Sequence, residues 1–215
     1  MRLGAGGFQA FSSGPGFPVL ILTSGWFHCS GLVMSNRIQI RIGGLGGQGV
    51  VLAGLLLGEA GVIDGKYVSG SNYYGARARG SECKSEIILS EDPIDFPLVS
   101  IPDILLALSQ SAYDSWHRDL KETSGLIFYD EGVITPRKKL RVRQMGFPAT
   151  EVATKRLNDK QVANLILLGG FVEITRMVSS SALRRAIKQH IHQRLWPLNL
   201  KAFQAGAELA RRIHG

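Results

Sequence analysis

Ile38-Gln39-Ile40-Arg41-Ile42-Gly43-Gly44-Leu45-Gly46-Gly47-Gln48-Gly49-Val50-Val51-Leu52-Ala53-Gly54-Leu55-Leu56-Leu57-Gly58-Glu59-Ala60 decides how this chain folds. Ile38–Ile42 alternates β-branched and polar residues, the pattern of a strand. Val50–Ala60 is long and apolar enough for a buried helix. The glycines between them allow positive φ and close approach of a ligand to the backbone. Strand, glycine loop and helix together form the arrangement that cradles phosphate. The helix's first-turn N–H groups have no intrahelical partner, and its dipole favours an anion there.

Gly44-x-Gly46-x-x-Gly49 also fits the dinucleotide fingerprint. That fingerprint needs an acidic residue at the end of the second strand to hold a ribose hydroxyl. The second strand is expected near Lys66–Ser69, and Gly70-Ser71-Asn72-Tyr73-Tyr74 follows with no acid. Asp64 precedes the strand and reads as part of an Asp64-Gly65 turn. A kinase-type phosphate loop is excluded, because no Lys-Ser or Lys-Thr follows the glycines.

Periodicity outlines the rest. Ser69 to Ser81 reads as a long polar stretch of the kind that carries function. Lys84–Ser90 alternates like a strand, and Pro93, Pro97 and Pro102 punctuate the connection after it. Asp103–Leu108 and Gly125–Asp130 read as buried strands, Gln110–Lys121 as a helix and Lys138–Arg143 as a further strand. From Thr150 the period changes from two to about 3.6. Helices are expected over Asp159–Met177, Ser181–His190 and Leu198–Ile213. Continuous apolar strands alternating with helices predict an α/β fold. Its expected form is three-layered: a largely parallel sheet flanked by helices, with a helical C-terminal segment.

The first 33 residues differ from the remainder: glycine-rich, with Arg2 as the one charge. The apolar run Phe17–Leu22 is too short for a membrane span and lacks the cleavage pattern of a signal peptide. Met34 stands just before the first strand. Residues 1–35 are therefore expected to be a poorly structured extension, lying upstream of a native start at Met34, and residues 36–215 a single domain.

The net charge of +8 is unevenly placed. Met34 to Thr150 holds 13 basic and 13 acidic residues, whereas Glu151 onward holds 11 basic and 4 acidic. The excess belongs to the C-terminal helices, as a solvated face or one docked on an acidic protein. Cys29 and Cys83 have no metal-ligand spacing and read as free thiols in a reducing compartment. The five histidines form no catalytic set. No metal site and no catalytic residue is assigned to this chain.

Gly43–Gly49, Tyr74-Gly75-Ala76-Arg77-Ala78-Arg79-Gly80, Pro93-Ile94-Asp95-Phe96-Pro97 and Asn164-x-x-x-x-Gly169 together resemble the gamma subunit of 2-oxoacid:ferredoxin (2-oxoacid:acceptor) oxidoreductases. The resemblance runs from about Asn36 to the C-terminus. It implies one component of a cytoplasmic enzyme that oxidatively decarboxylates a 2-oxoacid, passing the acyl group to coenzyme A and electrons to ferredoxin. The form of residues 74–80 is closest to 2-oxoglutarate enzymes. Alpha and beta subunits are the implied partners, with room for a ferredoxin-like delta subunit. Thiamine diphosphate, magnesium and iron–sulfur clusters are implied on those partners, and no nucleic acid or membrane is.

This chain would shape the coenzyme A side of the site. Gly44, Gly46, Gly47, Gln48 and Gly49 form the candidate phosphate loop. Arg77 and Arg79 are candidates for bidentate contacts to another phosphate or to a partner's carboxylate. Tyr73 and Tyr74 are read as packing residues in preference to adenine stackers. Two other readings stay open. One is a free-standing oxidoreductase in which Arg77 or Arg79 accepts an NADP 2′-phosphate. The other is a basic RNA-binding module.

Overall fold

The computed structural model describes residues 36–75, 81–122 and 124–214. The N-terminal extension lies outside them. Six strands form one sheet: β1 (Arg37–Leu45), β2 (Tyr67–Tyr74), β3 (Glu82–Ser90), β4 (Ile104–Ala107), β5 (Leu126–Asp130) and β6 (Arg143–Phe147), in the order β2-β3-β1-β4-β5-β6. β1, β4, β5 and β6 pair in parallel, while β3 lies antiparallel between β2 and β1. The helices are α1 (Val50–Ile63), α2 (Gln110–Trp116), α3 (Ala149–Leu157), α4 (Ala163–Thr175), α5 (Ser180–His190) and α6 (Trp196–His214). The architecture is the expected three-layer α/β fold with a mixed, mostly parallel sheet and a helical C-terminal region.

The layers are unequal. Side chains alternate along β1: Ile38, Ile40 and Ile42 join the large core with α1 and α3–α6. Gln39, Arg41 and Gly43 face the other side, where α2 covers a smaller cluster of Leu105, Tyr113, Ile127 and Ile134. α1 is apolar nearly all round because it is sandwiched between β1–β3 and α5. On the α2 side, Arg41 is buried and paired with Glu86 at 2.8 Å, directly across the ladder, and also with Asp119. Its guanidinium lies 5.9 Å from the Trp116 ring centroid, over a sheet that has only glycine at position 43. A Cβ there would stand 2.3 Å from Trp116, so Gly43 makes room for the indole.

Several elements differ from the sequence expectation. β2 continues through Ser69–Tyr74, which the sequence reads as loop, because this segment pairs along its length with β3. The last strand is Arg143–Phe147 rather than 138–143, since Met145 and Phe147, not Leu140 and Val142, insert into the main core. α2 ends at Trp116, and α4 is preceded by a separate 3₁₀ turn at Lys160–Val162, where Asp159 accepts from Gln161 N at 2.8 Å.

Candidate functional site

The glycine loop joins β1 to α1 at the carboxyl end of the sheet. Gly47 and Gly49 have φ of +98° and +71°, a region that glycine enters without a Cβ penalty. Gln48 fastens the loop: its Oε1 accepts from Leu45 N at 2.6 Å and its Nε2 donates to Leu108 O at 2.8 Å. This side chain thus ties the ends of β1 and β4 together. α1 leaves β1 toward one face and α2 leaves β4 toward the other, so the loop occupies a topological switch point. Open α/β sheets hold ligands in the crevice outside such strand ends.

The four loop amides divide into two kinds. Gly46 N donates to Ser81 O and Gln48 N to Leu45 O, each at 3.0 Å, so both are committed to the turn. The Gly47 and Gly49 amides, with those of Val50, Val51 and Leu52, have no acceptor among the described residues. The first turn of α1 carries no acidic residue, and no side chain caps it. The loop is also two-sided. A Cβ on Gly47 would meet nothing within 4 Å among the described residues, whereas one on Gly49 would stand 2.3 Å from Asn164 Nδ2. The outer side is therefore open and the inner side packed.

Asn164, buried at the start of α4, is the residue that sequence reasoning left without a role. Its Nδ2 donates to Gly49 O at 3.0 Å and its Oδ1 accepts from Leu165 N at 2.9 Å. Gly49 O also accepts the first bond of α1, from Ala53 N at 2.9 Å. A side chain 115 residues away thereby fixes the peptide that aims the loop's outward amides.

Tyr73 and Tyr74 end β2 on the same edge of the sheet as the loop, and Tyr74 and Gly44 both pair with Cys83. Contrary to the packing expectation, they are 57% and 64% exposed. Arg77 and Arg79 lie outside the described residues. Cys83 is buried beneath this edge, and burial pushes its thiol pKa up, which keeps it protonated and unsuited to nucleophilic attack. Asp64, the one acid near the dinucleotide position, is occupied elsewhere: its carboxylate accepts from Ser179 Oγ at 2.7 Å and from Ser179 N at the start of α5. Among the described residues no group of three or more His, Cys, Asp or Glu is placed to hold a metal, and no helix is long and apolar enough to cross a membrane.

Residues 39–209 match the family model described as pyruvate ferredoxin/flavodoxin oxidoreductase. The chain is 38% identical over 180 residues to the 2-oxoglutarate synthase subunit KorC of Methanocaldococcus jannaschii, covering 82% of this chain and 96% of that protein. It is similar to the crystal structure of the keto/oxoacid ferredoxin oxidoreductase gamma subunit from Geobacter sulfurreducens, with 37% identity and a TM-score of 0.73 over 82% of this chain and 97% of the other. The fold also recurs in the 2-oxoglutarate:ferredoxin oxidoreductase of Magnetococcus marinus, a structure with 2-oxoglutarate, coenzyme A and succinyl-CoA bound. There the TM-score is 0.75 at 20% identity, over 83% of this chain and 32% of that one.

Proposed function

The chain belongs to the pyruvate ferredoxin/flavodoxin oxidoreductase family, and we propose that it is the gamma subunit of a 2-oxoacid:ferredoxin oxidoreductase whose substrate is 2-oxoglutarate. Its task in this reading is to form one wall of the coenzyme A site. The observation that carries the proposal is the divided loop: it is fixed from within by Gln48 and Asn164, while the Gly47 and Gly49 amides have no acceptor among the described residues. Coenzyme A brings a diphosphate and a 3′-phosphate, and preorganised N–H groups at a helix N-terminus suit one of them. Arg77 and Arg79, on the connection that follows Tyr74, are the proposed partners of a second phosphate or of a subunit carboxylate.

The wall is incomplete by itself. The exposed Tyr73 and Tyr74 beside the loop suit burial against another chain. Alpha and beta subunits, with or without a ferredoxin-like delta subunit, are the proposed partners, and ferredoxin is the electron acceptor of the assembly. Thiamine diphosphate, with its magnesium ion, supplies the decarboxylation chemistry when bound on those partners. This chain's own residues bind and orient the acceptor thiol's carrier. The substrate assignment is supported by the 2-oxoglutarate relatives at 38% identity.

Gly47→Val tests the loop. The new side chain has space, so the fold is expected to survive, but a β-branched residue resists φ of +98° and stands in front of the outward amides. Loss of a charge-assisted hydrogen bond costs about 1.5–3 kcal/mol. The apparent KM for coenzyme A in the assembled complex should therefore rise roughly tenfold or more, with the KM for the 2-oxoacid unchanged. Unchanged coenzyme A kinetics would leave the loop as a structural turn.

A further inference from the structure

From Ile174 to Ala207 the sequence contains no carboxylate, while it holds Arg176, Arg184, Arg185, Lys188, Arg194 and Lys201. None of these six cations has an ion pair among the described residues. Elsewhere among the described residues the cations are mixed: Lys66, Lys84, Lys121, Arg137, Arg141, Lys155 and Arg211 meet a carboxylate and others such as Lys138, Lys139 and Lys160 do not, but carboxylates are interspersed with them in the sequence, as they are not between Ile174 and Ala207. The carboxylates bordering this segment are engaged: Glu59 contacts His190, Asp64 is occupied by Ser179, and Glu173, on which Arg176 also acts electrostatically, is paired with Arg211.

The face is rigid. α5 turns Ala182, Leu183, Ala186 and Ile187 into the core, which sends its cations outward. Arg184 lies over the Phe203 ring and Lys188 over the Trp196 ring, at 5.5 and 6.0 Å, so the α5–α6 junction holds its charges in place. Arg185 and Arg194 stand exposed beside them. We infer that this junction is the docking face for a small acidic carrier protein, an inference that rests on the gamma-subunit reading above.

Charge complementarity selects that occupant. A permanent subunit interface has a charge-depleted centre, and burying several unpaired cations would be costly. An unpaired cationic face instead speeds encounter with an anionic partner that arrives and leaves. Nucleic acid fits less well, because single-strand binding needs open aromatic platforms. Here Phe203 is buried and Trp196 is capped by Lys188, with its Nε1 donating to Ile191 O at 2.7 Å. A membrane surface requires an apolar face, and Leu195 is the one exposed large apolar residue among residues 174–207.

The test uses the complete complex carrying Arg185→Glu and Arg194→Glu together, with ferredoxin as the acidic carrier. At low ionic strength the apparent KM for ferredoxin should rise about tenfold, and the difference should shrink as salt screens the face. The rate with methyl viologen, a small cation that needs no docking face, should match the parent complex, and the subunits should stay together. An unchanged KM for ferredoxin overturns the inference and leaves the gamma-subunit reading intact. Loss of the doubly substituted chain from the complex also overturns it, by making the face a resident interface. A parent complex inactive with every 2-oxoacid and acceptor overturns both readings.

Discussion

Gly206→Ala is expected to lower the stability of the protein by about 2–3 kcal/mol net, seen as a fall in both the denaturant midpoint and Tm. A Cβ at position 206 would stand 1.9 Å from Ile166 O and 2.9 Å from Gly170 N, both backbone atoms of α4. The contact is reciprocal, since a Cβ at Gly169 would stand 2.1 Å from Phe203 O in α6. The helices therefore touch backbone to backbone, and no side-chain rotation relieves the added methyl. α4 would have to move, yet Leu165, Ile166, Leu168 and Phe171 anchor it in the main core. Alanine's better helix propensity returns only about 1 kcal/mol. Substituting Gly206 without measurable loss would mean that α4 and α6 do not pack as described.

Gly49→Ala should be at least as costly, and it should also weaken coenzyme A use. A left-handed backbone costs an L-residue roughly 1–2 kcal/mol, and φ here is +71°. The methyl would also displace the buried Asn164 carboxamide, whose lost hydrogen bonds are worth about 1–3 kcal/mol. Together these predict a loss of about 2–5 kcal/mol. Asn164→Ala removes the clamp without the strain and should cost only the hydrogen-bond part, about 1–3 kcal/mol. Combining the two relieves the clash, so the double variant should lose less than the sum of the singles. Strict additivity in a chemical-denaturation cycle would show that Asn164 does not hold Gly49.

How far the sequence reaches is visible in single residues. The alternation of Ile38, Ile40 and Ile42 and the glycines after them were sufficient for β1, the loop and α1. Alternation assigns faces but not strand direction, so β3 was legible as a strand and not as antiparallel. The short connection from Gly75 to Ser81 carried that information, because a parallel neighbour needs a crossover of a dozen residues or more. β6 was placed too early, at Lys138–Arg143, because which apolar residues enter the main core is decided by packing, and there Met145 and Phe147 do. Gly146 lets Tyr129 pack closely, with the position of a Cβ 2.8 Å from its hydroxyl. The burial of Arg41 is not visible locally, since Glu86, Asp119 and Trp116 are brought to it by the fold.

The site divides in the same way. Loop glycines are a local signal. Gln48 was read as a backbone donor, whereas its side chain is the bracket across β1 and β4. Asn164 could not be assigned locally, since its partner is 115 residues away. Tyr73 and Tyr74 read as packing residues, and the pattern of a single chain does not show that they lie exposed at the end of β2.

The central claim is that this chain completes a coenzyme A-dependent 2-oxoacid oxidoreductase. The most direct measurement is co-purification of the chain at native expression, followed by assay of methyl viologen reduction. The account predicts recovery with alpha and beta subunits and reduction that requires both 2-oxoglutarate and coenzyme A. Recovery of the chain alone, or of a complex whose activity is independent of coenzyme A, would contradict it.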